Sequence, residues 1–122
     1  MIGRTASVAA FTAAITLATA AYPQQTARAS GALLRGLDKV SGQTTDIILG
    51  VGDAASYGRL EVRLGECRFP AGAPSSDAYA QMIITDTLEN RTLFSGWMIA
   101  SSPALSSLDD PRYDVWVISC QS

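Results

Sequence analysis

Between Ser101 and Asp114 the chain concentrates most of its groups able to do chemistry: Ser101, Ser102, Ser106, Ser107, Asp109, Asp110, Arg112, Tyr113 and Asp114. Carboxylates, hydroxyls and one guanidinium so close together could serve a hydrolytic site or the polar part of a docking surface. The same residues also read as helix caps, a turn and an ion pair between Arg112 and an aspartate. Histidine is absent from the whole sequence, which removes the usual general base and the usual catalytic triad. The only lysine, Lys39, follows Asp38 and reads as half of a solvated charge pair rather than an activated amine. Asp109, Asp110 and Asp114 lack the alternating spacing and glycine of a calcium loop, and without histidine the two cysteines do not make a zinc site. No catalytic residue, metal ligand or cofactor is therefore assigned. The candidate docking surface is Ser101, Ser102, Leu105, Leu108, Asp109, Asp110, Arg112 and Tyr113, in which Leu105, Leu108 and Tyr113 are expected to be exposed.

Two other constellations bear on chemistry. Arg59, Glu61 and Arg63 alternate with Leu60, Val62 and Leu64, the cleanest period of two in the chain. They read as the solvated face of a strand in preference to a ligand-binding ladder. Cys67 and Cys120 read as one disulfide, closing a loop of roughly 50 residues worth about 4 kcal/mol by chain entropy. A redox pair would sit closer together, with a cation beside the thiol. By parity Cys67 belongs with the charged set of its strand, so a bulge near Gly65, or a strand end, is needed to turn it towards its partner.

The elements that must position these groups are mostly strands. Leu33–Val40 and Thr44–Val51 form a hairpin around Ser41, Gly42 and Gln43, with Thr45, Ile47, Leu49 and Val51 on the core face. Gly52–Ser56 reads as a connection, and Pro70–Asp77 as a loop. Further strands are expected from Arg59, over Tyr79–Thr85, over Phe94–Ile99 and over Tyr113–Cys120. The last is apolar on both faces, Val115 and Val117 on one, Trp116 and Ile118 on the other, which predicts a central strand. Ser101 or Ser102 caps a short helix over Pro103–Leu108, and Asp109–Pro111 ends it. Without a β-α rhythm, the fold class is all-β: an antiparallel sandwich or small barrel of about six strands, with one short helix before the last strand and one disulfide.

Arg4 followed by the Ala-rich run Ala6–Leu17 and small residues at Ala18 and Ala20 reads as a secretory signal over residues 1–20, cut after Ala20, with a second acceptable site after Ala29. The run is too short and too rich in Ala and Thr for a membrane anchor. Residues 21–31 read as a flexible lead-in and 32–122 as a single domain. Nine basic against 11 acidic residues leave no basic surface for nucleic acid and none for an anionic membrane.

The stretch from Leu33 to Cys120 resembles the family called domain of unknown function 2155, small exported proteins of alphaproteobacteria. The resemblance is carried most specifically by RGLDKVSG, FSGWM-ASSPAL and PRYDVWV, and the chain departs from the pattern in the loop around Pro70–Asp77. It implies an envelope location and one compact domain, and brings no activity and no catalytic residues. The functional expectation is a non-catalytic periplasmic module that docks on another envelope protein or membrane complex, such as a respiratory complex. The alternatives are a histidine-free hydrolase acting on cell-wall or small polar substrates through Asp109, Asp110 and Asp114, and an inhibitor of an exported enzyme.

Overall fold

The computed structural model describes residues 25–122 and, upstream, residues 3, 9, 10 and 12–14. The expected cut after Ala20 lies outside the described residues. Eight strands follow: β1 (Thr26–Ala29), β2 (Gly31–Asp38), β3 (Thr44–Gly50), β4 (Ala54–Tyr57), β5 (Leu60–Pro70), β6 (Tyr79–Asp86), β7 (Arg91–Ile99) and β8 (Tyr113–Gln121), with one 3-10 turn at Pro103–Ser106. All pairings are antiparallel. β1 and β4 share one edge of β5, which continues to β6 and β7, while β3, β2 and β8 form a second sheet. The fold is thus a two-sheet sandwich.

Alternation decides which side chains form the core. Leu60, Val62 and Leu64 of β5, Ala80, Met82 and Ile84 of β6, and Met98 of β7 meet Ala32 and Leu34 of β2, Ile47 and Leu49 of β3, and Val115 and Val117 of β8. Each large aliphatic side chain so buried contributes about 2 kcal/mol of transfer free energy. The pairing of β5 with β6 shifts register between Leu64 and Glu66, leaving Gly65 as the bulged residue. Leu64 and Cys67 therefore both face inward, the latter opposite Ala80. Cys67 is bonded to Cys120, so the disulfide ties the large sheet to the small one. In the β2–β3 hairpin Gly42 takes the left-handed φ of 75°. Thr45 and Val51 are exposed, so only Ile47 and Leu49 of the expected core face are inside.

Four expectations need correction. The lead-in expected to be flexible over 21–31 contains a strand, because Thr26–Ala29 pairs with Cys67–Pro70 and Ala29 packs against the core. The connection expected over Gly52–Ser56 contains most of β4, which pairs with Leu60–Arg63. The short helix expected before the last strand is present as a 3-10 turn with Pro103 at its start, but without the expected side-chain cap from Ser102; Ser101 instead donates from N and Oγ to Asp77, at 3.0 and 2.7 Å. Finally, β8 is not central. It pairs with β2 alone, and β2 is the middle strand. Instead of a further strand, loops stand beside the outer parts of β8: Pro103, Ala104 and Ser107 near Trp116, and Pro74–Asp77 with Ala100 and Ser101 near Ile118.

Candidate functional site

The polar stretch that dominates the sequence divides in space into a buried corner and an exposed groove. At the corner, Asp110 accepts hydrogen bonds from the backbone amides of Tyr113 (2.7 Å) and Arg112 (2.9 Å), which bends the chain into β8 as an Asx turn. Its other oxygen pairs with Arg59. The Arg59 Nε donates to Asp86 at 3.0 Å, and Asp86 also accepts from the amides of Leu88 and Glu89, organising the β6–β7 turn. One guanidinium thus joins two carboxylates that each cap a turn. Burial works to raise the carboxyl of Asp110, but the Tyr113 and Arg112 amides and the Arg59 charge outweigh it and hold the group below the usual aspartate range. Asp86 is lowered in the same way, burial being overcome by Arg59 and the two amides. The hydrogen bond to Asp86 raises Arg59 in turn.

Tyr113 completes the corner. Arg59 and Arg112 each stand over its ring, at 5.2 and 5.1 Å from the centroid, and Tyr57 meets it edge to face at 5.2 Å. Both arrangements suit the electron-rich ring face. Gly58 adopts φ 57° directly beneath the Tyr113 hydroxyl, where a Cβ would collide with it. Gly36 gives the Tyr57 ring its seat in the same manner, a Cβ there falling 2.6 Å from the ring. Arg112 also donates to Asp38 at 3.3 Å, and Lys39 Nζ to the Asp110 carbonyl at 2.7 Å. Lys39 is therefore held by the corner and not paired with Asp38.

The corner redistributes the expected docking residues. Asp110, Arg112 and Tyr113 come together, but Asp110 and Tyr113 are buried, the tyrosine only 8% exposed. Leu108 is 4% exposed and belongs to the core. The exposure expected for Leu108 and Tyr113 is corrected accordingly: the chain folds back after the 3-10 turn so that Leu108 fills the sandwich before β8 begins. Ser101 is occupied with Asp77, Ser102 is half-buried and Asp109 exposed. Leu105 is exposed at 76%. Arg59, read in the sequence as one rung of a solvated face, is instead the cation of the corner; Glu61 and Arg63 do remain partly in solvent.

The groove lies on the other side of the same stretch. The outer face of the small sheet carries three cross-strand rows: Ile48, Leu33 and Ser119; Asp46, Arg35 and Trp116; Thr44, Leu37 and Asp114. Leu33, Leu37 and Trp116 are half-buried, and Ile48 is 69% exposed. No third layer covers them among the described residues. Pro103, Ala104 and Ser107 rise beside Trp116, Leu37 and Asp114 and enclose a groove of about 440 Å³. Arg35 is neutralised by Asp46 at 2.9 Å. Asp114 accepts from the Val115 amide at 2.9 Å, and among the described residues no cation lies within ion-pair distance of it. Sequence reading missed Leu37 and Trp116. Their signal was present in the apolar outer face of β8, read as burial in a central strand.

These features define a class: a disulfide-clasped antiparallel β-sandwich, pinned at one corner by an arginine between two aspartates and carrying a mixed apolar and charged outer face on its smaller sheet. Within that class the chain belongs to DUF2155, described as an uncharacterized protein conserved in bacteria, whose family model matches residues 32–120. Over 87 residues the chain is 31% identical to an uncharacterized protein of Rickettsia prowazekii (strain Madrid E), a match covering 69% of this chain and 56% of the other. The chain thus matches little more than half the length of that relative. No solved structure matches. Among the described residues no helix is long and apolar enough to cross a membrane, and no three His, Cys, Asp or Glu side chains are grouped to hold a metal ion.

Proposed function

We propose that the protein is a non-catalytic docking module of the cell envelope, exported by a cleaved leader, that holds another envelope protein or membrane complex. The observation that carries this reading is the outer face of the three-stranded sheet, where Ile48 is 69% exposed and Leu33, Leu37 and Trp116 are half-buried, with no further sheet layered over them among the described residues. Apolar residues scattered singly over a surface need no explanation, whereas four on one face of a rigid sheet, set around the Arg35–Asp46 pair, suit a partner. The Cys67–Cys120 bond adds support for export, since disulfides persist in oxidising compartments. Hydrolysis through Asp109, Asp110 and Asp114 has less in its favour, because Asp110 is committed to two backbone amides and Arg59.

The test is comparative capture from envelope extracts with the wild-type protein and an Ile48→Asp, Leu105→Asp double variant. Both side chains are exposed, so the variant keeps its thermal transition. The reading predicts that a partner captured by the wild type is lost from the variant. Equal recovery by the two proteins contradicts it.

A further inference from the structure

We propose that the groove between the 3-10 turn and β8 is the anchor point of that docking face, and that it takes a single Lys or Arg side chain projecting from an apolar segment of the partner polypeptide. The inference rests on the docking reading and adds to it the chemistry of the occupant. Three features converge. Trp116 offers an aromatic wall, and an indole is the strongest neutral attractor of a cation among side chains. Asp114 supplies a carboxylate with no countercharge within ion-pair distance among the described residues, one of its oxygens engaged by the Val115 amide and the other open. Ser107 already donates its hydroxyl proton to the Ala104 carbonyl at 3.1 Å, so towards the groove it acts as an acceptor. Leu37, Pro103 and Ala104 then match the aliphatic stem that such a side chain buries.

Charge favours a cation over an anion for the same reasons. The one nearby cation on the sheet, Arg35, is across from Trp116 but spends its charge on Asp46. Arg112, just before β8, and Lys39, just after β2, are directed to Asp38 and the Asp110 carbonyl respectively. Within the groove itself, whose lining is Leu37, Pro103, Ala104, Ser107, Asp114 and Trp116, the one charged group is the Asp114 carboxylate. The groove volume of about 440 Å³ lies in the range of real ligand sites and holds one long side chain with its flanks.

The experiment titrates the ¹⁵N-labelled, disulfide-intact protein with three capped tripeptides, Leu-Arg-Leu, Leu-citrulline-Leu and Leu-Glu-Leu, and separately with chitotriose, following amide and indole resonances. Saturable shifts at Trp116, Leu37 and Asp114 are expected with the arginine peptide. Binding weakens about fivefold with citrulline and about fivefold in Asp114→Asn, the size of a half-exposed ion pair, and it is absent with the glutamate peptide. Equal binding of the arginine and glutamate peptides, shifts centred elsewhere, no saturable shift, or shifts produced by chitotriose in place of the peptide would each overturn the proposal. Its failure is separable from failure of the docking reading. If Ile48→Asp, Leu105→Asp abolishes capture while Asp114→Asn captures normally, the docking face stands and the cation anchor falls.

Discussion

The buried corner and the outer groove both draw on the stretch from Pro103 to Trp116, yet they hold their polar groups in opposite ways. At the corner Asp86 and Asp110 are almost wholly enclosed and each accepts two backbone amides plus one bond from Arg59. Every strong acceptor there has its donors, which is the signature of a structural pin. In the groove the situation is reversed: Asp114 keeps an open oxygen beside an aromatic ring, and the apolar side chains around it stay partly wet. The density of charged residues is greater at the corner, but the unmet interactions are in the groove. Satisfaction, more than composition, separates the structural pin from the proposed docking groove.

The comparison can be broken most forcibly at the disulfide, because Cys120 lies on β8, the strand that serves both regions, and Cys67 on the opposite sheet. Replacing both cysteines by serine should lower unfolding stability by about 4 kcal/mol in a denaturant titration, the entropy of a closed loop of this length. A loss below about 1 kcal/mol would show that the packed sheets hold β8 without it.

Next in size is the corner. An Asp110→Asn variant should show a clearly lowered Tm, since Arg59 and the turn into β8 lose their shared carboxylate, while capture of the partner at low temperature is retained. The same group sets a pH dependence. Asp110 and Asp86 are lowered in the folded protein, so their stabilisation is complete above the ordinary aspartate value of 3.8 and is lost as pH falls through their depressed folded values. Tm should therefore decline steeply on acidification below about pH 4, and less steeply in Asp110→Asn. A parallel decline in both proteins would remove Asp110 as the cause.

The smallest effect on stability, with the largest on binding, is expected in the outer face. Ile48→Asp changes an exposed position and should stay within about 0.5 kcal/mol of the wild type by chemical denaturation. Were it to unfold the protein, Ile48 would be part of the core and not a docking residue.

Much of this sandwich was legible from alternation. The β5 pattern placed Leu60, Val62 and Leu64 inside, and the wrong parity of Cys67 demanded the bulge that Gly65 provides. The four-residue strands β1 and β4 were not legible, because TARA and AASY carry no period and owe their conformation to pairing with β5. The corner was hidden for another reason. Arg59 meets partners 27 and 51 residues away, a separation at which local spacing carries no signal. The groove was half visible: an apolar residue on each face of β8 says that both faces are covered, but not whether the cover is the same chain or another.

Site-specific photo-crosslinking in the intact envelope tests that last point most directly. A photoreactive residue introduced at Ile48 or Trp116 should yield a discrete adduct with one partner, whereas the same residue at Ile83 or Leu88, exposed apolar positions on β6 and in the β6–β7 turn of the other sheet, should yield none. Adducts of equal yield at all four positions, or none at Ile48 and Trp116, would contradict the account.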